Sequence, residues 1–360
     1  MSNVASLVFY IGLFTVSGGA LLLNKTGNKY LKRIAFFISV VIPTLISAFR
    51  FQVGTDYSNY SFLFDYIRIH TWSEILVADI RWEIGFKVLV KLLTSVGNNR
   101  FVFGSLSFLT FVFILKALEY YENIDAEISY IVYLFVYFSG AMNIVRQSLA
   151  FAIVLFAYHY IFENHKYKFV LWIVLAATIH ISAIIVIPVY FLWNQEKIEL
   201  ISFKIRVLIY GGFIIGTFLW RGILKFLISM NLPFISKFEY LLNNNNGLNR
   251  DLFVKLMILI VFIIWSYKFE IISSKNKLFI FLFALNCIIS FTGYQITFFK
   301  RIALYFEIPF IVLIGEIPCF FAKGKSRIFI KCSIVLISCF YFILSAYVLE
   351  HAEIIPYKWR

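Results

Sequence analysis

Charged residues are scarce in this sequence: Asp, Glu, Lys and Arg together make up 14% of 360 residues. A water-soluble domain carries nearer a quarter, and a mean hydropathy of +0.86 points the same way. Cysteine is scarce too. The four present, Cys287, Cys319, Cys332 and Cys339, all fall inside apolar runs, and none forms a C-x-x-C pair. They read as small buried hydrophobes, neither disulfides nor metal ligands. The ten-residue alternation of a membrane β-barrel is missing. No Walker A, G-x-G-x-x-G or G-x-S-x-G motif is present, and no D-x-D stands in a fitting context. Nucleotide-driven transport and nucleotide-sugar chemistry are thereby disfavoured. No internal repeat is visible, so an inverted-repeat transporter architecture finds no support.

What fills the chain instead is apolar: 61% hydrophobic and 20% aromatic. A span needs about 20 apolar residues, and roughly ten stretches offer them. Each spanning backbone must satisfy its own hydrogen bonds, which leaves helices as the element. The class is an all-α, polytopic integral membrane protein with about 10–12 transmembrane helices, read as a single multi-pass domain over residues 1–360. The net charge of +14 reads as short basic loops on the cytoplasmic side. It does not read as nucleic-acid binding, because no basic and aromatic platform accompanies it.

The first apolar run, Val4 to Leu23, has no Lys or Arg before it, whereas Lys25, Lys29, Lys32 and Arg33 follow. That order suits a true first span with its start outside, not a cleaved leader. Residues 31–49 cross back, with Pro43 tolerated inside the helix. Residues 50–81 and 229–250 read as outer segments. Glu83, Lys87 and Lys91 share one helical face within 82–97, which suits a helix that lies at the interface or dips in. Further spans are expected at about 101–118, 129–145, 147–162, 207–228, 251–268, 277–293, 302–321 and 330–348. The basic loops 162–168, 193–206, 268–277 and 322–331 all become cytoplasmic if 82–97 does not cross and 168–193 enters and returns, breaking near His180. A single tilted crossing by 168–193 is the alternative. On the re-entrant map Arg50, Arg146, His180, Arg301 and the C-terminal tail share the outer side.

Polar clusters interrupt this apolar chain at a few places. Arg50-Phe51-Gln52-Val53-Gly54-Thr55-Asp56-Tyr57 ends a span. Its arginine fits either a snorkelling helix end or an anion site, and Gly54-Thr55-Asp56 is also turn chemistry. Asn143, Arg146 and Gln147 form a donor-rich cluster suited to phosphate or sugar oxygens. His180 stands in apolar sequence with Thr178 and Ser182 as structural partners, yet an ionisable residue at that depth is a functional candidate, and histidine titrates near neutrality. No second His or carboxylate stands three or four residues from it, so no metal is expected. Glu83 is a buried-acid candidate or one end of the charged stripe. Lys300 and Arg301 open a span, with Tyr294, Gln295 and Tyr305 nearby. Glu307 and Glu316 call for a basic partner. His351, Glu353, Pro356, Tyr357 and Arg360 close the chain and suit an interfacial anchor.

Taken in order, Arg50…Val53-Gly54-Thr55-Asp56-Tyr57…Tyr60, Glu83-x-Gly85-Phe86, Asn143…Arg146-Gln147-x-Leu149-Ala150, His180-x-Ser182-Ala183, Arg301 with Tyr305, and Pro356-Tyr357 resemble the EpsG-like branch of bacterial polysaccharide polymerases, the Wzy-type enzymes. No single motif is specific; the ordered set is. The resemblance implies an all-α inner-membrane protein with an outward-facing cavity, active on the periplasmic or extracellular side. It also implies a reaction in which a growing glycan passes from undecaprenyl pyrophosphate to a sugar hydroxyl of another lipid-linked repeat unit. No cofactor or metal is expected. The partners are lipid-linked repeat units and membrane lipid, with a separate chain-length regulator and flippase alongside. On this reading Arg50, Arg146 and Arg301 bind pyrophosphate and glycan, with Asn143, Gln147 and Tyr305 around them. Tyr57 and Tyr60 stack on sugar. His180 is the first choice of general base, with Asp56 as an alternative or as its orienting partner, and Glu83 as a further candidate base. The competing classes are a lipid-linked oligosaccharide flippase, a polyprenyl-phosphate-dependent glycosyltransferase and a membrane O-acyltransferase.

Overall fold

The computed structural model of the chain describes residues 1–78, 80, 82–194, 199–230, 250–268, 274–293, 297–321 and 323–359. Its elements in order are α1 (Asn3–Gly19), α2 (Lys29–Phe49), α3 (Tyr57–Ile69), α4 (Trp72–Val77), α5 (Ile84–Val96), α6 (Asn99–Glu119), α7 (Ala126–Asn143) and α8 (Val145–Ala157). There follow α9 (His159–Phe162), α10 (Lys166–Ile179), α11 (Phe203–Ser229), α12 (Arg250–Lys268), α13 (Ser274–Gly293), α14 (Thr297–Glu307), α15 (Phe310–Glu316) and α16 (Lys325–Phe342). A two-stranded antiparallel pairing of β1 (Trp193–Asn194) with β2 (Glu199–Leu200) is the sheet among the described residues.

The short polar residues between apolar runs start the helices. Ser2 accepts from the Ala5 amide to cap α1, Asn28 caps α2, and Asn98 caps α6. Thr71 and Glu74 form a reciprocal capping box on α4. Each satisfies amides that a helix start leaves without partners.

Among the described residues, six helical stretches are long and apolar enough to cross a membrane: Asn3–Thr26, Lys29–Phe49, Asn99–Glu119, Val145–Phe162, Phe299–Phe320 and Lys325–Val348. The chain is an all-α polytopic membrane protein. The other four expected positions are helical as well (α7, α11, α12 and α13). Among them α7 carries Glu127 and Asn143, and α11 bends by 58° between Phe203–Gly216 and Phe218–Ser229. α5 has 13 residues, about 20 Å of helix, too short for a hydrocarbon core of about 30 Å. The break expected near His180 is present: α10 stops at Ile179, and a 3-10 stretch runs from Ile181 to Leu192. Of the outer segment 229–250, residues 231–249 lie outside the described residues, as do Tyr294, Gln295 and Arg360.

The chain divides into two compact units. The first comprises Met1–His159, Tyr167–Ile184 and Ile311–Arg360. Its core is aromatic: Tyr10 and Phe14 of α1 pack with Phe135 and Phe138 of α7 and Phe342 of α16. Ser17 and Ser39 bond each other's carbonyls at 2.9 and 2.7 Å. Small hydroxyl residues thus let α1 and α2 approach closely. α7 acts as a rod through this unit. At its start Asp125 and Glu127 are buried in a cluster of Lys25, Arg327 and Lys331, with contacts of 2.8 to 3.1 Å. At its end lie Arg50, Asn143 and the C-terminal tail. Eighteen residues separate the two ends by about 27 Å. Outward-facing Phe329, Leu336, Ile337 and Phe340 of α16 suit contact with lipid.

The second unit comprises Tyr160–Lys166 and Ile185–Phe310. Its polar centre is Glu307, which takes Lys255 as an ion-pair partner at 2.7 Å and the Asn286 amide at 3.0 Å. Lys255 thereby answers which base pairs with Glu307. Pro309, lacking an amide hydrogen, stands between α14 and α15. Arg301 is exposed on α14 and Tyr305 is buried in it.

Candidate functional site

Three helix ends of the first unit bring Glu83, Arg146 and His180 together. Glu83 precedes α5, Arg146 lies in the first turn of α8, and His180 directly follows α10. The Arg146 guanidinium meets the Glu83 carboxylate at 2.6 Å through Nη1 and Oε2. The other carboxylate oxygen lies 3.2 Å from His180 Nδ1 and accepts the Ile181 amide at 2.9 Å. The local chain explains the approach. A Cβ at Gly85 would lie 2.3 Å from Thr178 Oγ1 and 2.8 Å from the Thr178 carbonyl. Only glycine lets the start of α5 sit this close to the end of α10. Helix termini also matter electrostatically: a cation in the first turn of α8 opposes the dipole, and the Glu83 carboxylate offsets it.

Burial alone would raise the pKa of Glu83. The His180 hydrogen bond, the Ile181 amide and the Arg146 charge outweigh it and hold the carboxyl down at about 2. Glu83 is therefore ionised across the physiological range. Such a carboxylate is a poor proton acceptor and a good orienting group. In the neutral imidazole, accepting from Nδ1–H selects the tautomer in which His180 Nε2 carries a lone pair. That Nε2 atom is buried and has no hydrogen-bond partner among the described residues. Aromatic rings line the Arg146 side. Its guanidinium lies 5.7 Å from the Trp82 ring and 5.9 Å from Phe86, and Trp82 stacks on Tyr60 at 5.6 Å. Burial raises the Tyr60 phenol above its ordinary value, with the Arg146 charge pulling it back.

A second cluster surrounds Arg50 and Asn143. Arg50 is 1% exposed. It donates from Nη1 to the Met142 carbonyl in the last turn of α7, and its guanidinium lies 4.4 Å from the Phe103 ring and 5.7 Å from Tyr57. Its Nε and Nη2 have no hydrogen-bond partner among the described residues; the ring faces supply part of the compensation. Burial lowers its pKa to about 10, with the tyrosines pulling upward, so the charge persists at neutral pH. The Asn143 amide is engaged four times. Its Oδ1 accepts from Thr55 Oγ1 at 3.0 Å and the Asp56 amide at 3.3 Å, and its Nδ2 donates to the Ser139 and Ala352 carbonyls at 3.1 and 2.9 Å. Gly54, at φ +97°, runs so close that a Cβ there would lie 2.7 Å from Asn143 Oδ1.

The expected residues thus divide. Glu83, Arg146 and His180 meet directly. Tyr60 lies against Arg146. Asp56, half-buried, begins α3 close to Tyr60. Tyr57 stacks on Phe103 at 5.1 Å. Tyr57, Tyr60, Asn143 and Gln147 are all buried. Arg301 and Tyr305 belong to the second unit. The charged stripe of α5 is not one surface: Lys87 donates to the Ile75 and Ala78 carbonyls, and Lys91 to those of Ile67, Arg68 and His70. The two lysines cap the ends of α4 and α3, where cations are favoured. Sequence reasoning missed Trp82 as the aromatic neighbour of Arg146, the Ile181 amide on Glu83, and the tail carbonyls on Asn143. Only Trp82 carried a local signal, as the neighbour of Glu83.

A search of curated proteins and of solved structures finds no match to the chain. The sequence model of the EpsG family, by contrast, matches residues 33–359. That interval takes in both clusters and most of the tail, and it supports a polysaccharide-polymerase-like activity of the membrane glycosyltransferase kind in general. From a match of this extent, the chain is a member of the EpsG family.

Proposed function

We propose that this protein is a Wzy-type polymerase of bacterial surface polysaccharide. It would transfer a growing glycan from undecaprenyl pyrophosphate to a sugar hydroxyl of another lipid-linked repeat unit. One observation carries the reading. His180 is held through Nδ1 by an ionised carboxylate, its Nε2 has no hydrogen-bond partner among the described residues, and a fixed guanidinium stands on the same carboxylate. This is the arrangement that general-base transfer beside an anionic leaving group requires.

In the proposed step, His180 Nε2 takes the proton of the acceptor hydroxyl. The freed oxygen forms a bond to the anomeric carbon of the growing glycan. The bond from that carbon to the phosphate oxygen breaks, and undecaprenyl pyrophosphate leaves with the electron pair. Arg146 offsets the developing phosphate charge, and Arg301 is proposed separately as a substrate-binding residue of the second unit. Glu83 orients His180, and Asp56 is the alternative base. Arg50, Asn143, Gln147, Tyr57 and Tyr60 are buried and are proposed to support the site, not to touch the glycan. Tyr305 is proposed to support Arg301 in the same way.

We place the site at the outer face of the bacterial cytoplasmic membrane, in a cavity open to that side. Support comes from α7. The site lies near its end, about 27 Å from the cluster of Lys25, Arg327 and Lys331 at its start. Loops rich in Lys and Arg favour the cytoplasm.

Deletion of the gene, with gel analysis of surface glycan and complementation by His180→Ala, tests the reading. Loss of the ladder with a single repeat unit still attached, restored by the parent gene and not by His180→Ala, is expected. Loss of even the single unit would point to a flippase or an earlier glycosyltransferase. An unchanged ladder with altered substituents would point to an acyltransferase.

A further inference from the structure

The last residues of the described chain fold back over the end of α7. The Phe51 amide bonds the Lys358 carbonyl at 2.8 Å, and Arg50 pairs with Trp359 in an antiparallel bridge. The Gly54 amide bonds the Glu353 carbonyl at 2.9 Å. Tyr357, 2% exposed, donates from its hydroxyl to Ile46 at 2.9 Å, and its amide bonds Ser6 Oγ at 2.9 Å. Tyr10 donates to the Ile354 carbonyl at 3.1 Å. The backbone that makes these contacts is strained: Glu350, Ala352 and Glu353 have φ of +50°, +72° and +48°. Left-handed conformations of non-glycine residues persist only where the surroundings over-determine them. An interfacial anchor would need none of this.

Ala352 is the residue whose carbonyl takes Asn143 Nδ2. Asn143 in turn is the last residue of α7. Ile144, at φ −87° and ψ 54°, breaks the helix, and Arg146 follows in the first turn of α8. Arg50 holds the same break from the other side through Met142. The hydrogen bond from Asn143 Nδ2 to the Ala352 carbonyl therefore ties the tail to the residue directly before the break, and Arg146 follows that break along the backbone.

We propose that the C-terminal segment 349–359 is a positioning device for Arg146, acting through Asn143. The proposal rests on the reading that Arg146, Glu83 and His180 form the reaction site. In this view the tail never meets substrate. It fixes the α7–α8 break, and the break fixes the guanidinium against Glu83. Misplacement of a binding group by about 1 Å can lower a rate about a hundredfold.

The test is a double-mutant cycle, read as incorporation of labelled repeat unit into long-chain glycan by membranes holding matched amounts of each variant. Asn143→Ala is expected to lower incorporation at least about tenfold in the parent background. It is expected to lower it less than about threefold when Arg146→Lys is already present, because the group it positions is gone. A merely structural role of Asn143 would give equal losses in both backgrounds. Equal losses, or full incorporation by Asn143→Ala, would overturn the proposal. Full incorporation by both Arg146→Lys and His180→Ala would instead overturn the reaction site itself, so the two failures are distinguishable.

Discussion

On the proposed mechanism each of the three central side chains has a separable task, so each replacement has its own signature. His180→Ala removes the proposed proton acceptor and should lower polymerisation by at least about a hundredfold, the usual worth of a positioned general base. Labelled repeat-unit incorporation by membranes measures this. Glu83→Gln keeps the shape and loses the charge. It should also lower incorporation, while leaving protein amounts near the parent level, because the amide still accepts from the Ile181 amide. Arg146→Lys keeps a positive charge and loses the planar fork, so a partial loss is expected. At this scale much was legible in the sequence. Arg146 and His180 stand out as polar residues in apolar surroundings. Their shared partner was harder to read, because Glu83 repeats at the same spacing as Lys87 and Lys91. That spacing suggests one stripe, yet the lysines serve the carbonyl ends of α3 and α4, and the carboxylate serves His180.

At the scale of elements the site depends on helix ends, not helix faces. α5 and α10 meet where Gly85 touches Thr178, and a methyl group there would clash with backbone as well as side chain. Gly85→Ala should therefore destabilise by about 1–3 kcal/mol through overpacking, and should separate Glu83 from His180. Thermal unfolding in detergent and incorporation should both fall. The break near His180 was legible from the parity of the basic loops, as was a segment 82–97 that does not cross. The return of the tail onto Arg50 and Asn143 was not. Its bonds join residues more than two hundred positions apart, and hydrophobic periodicity carries no record of such pairs. The Pro356-Tyr357 end looks like an interfacial anchor until Tyr357 is found buried against α1 and α2.

For the whole molecule, α7 links two polar ends across an apolar middle. At its start, burial would raise the pKa of Asp125, but Lys331, Arg327 and Lys25 outweigh it and hold the carboxyl at about 2. An unfolded aspartate titrates near about 3.9, so between these values the unfolded chain binds more protons than the folded one. Stability is therefore present above about pH 4 and lost as pH falls toward 2. Melting in detergent from pH 6 to pH 2 should show this decline, and Asp125→Asn should be less stable at pH 6 with a shallower slope. The other end of α7 is where catalysis is placed, and reconstitution tests that most directly. The purified protein in liposomes would be given a repeat unit on undecaprenyl pyrophosphate, with glycan length and released undecaprenyl pyrophosphate followed together. The account predicts lengthened glycan with one pyrophosphate carrier released per bond, and neither product from His180→Ala. Lengthening by His180→Ala at the parent rate, or no lengthening by the parent protein, would contradict it.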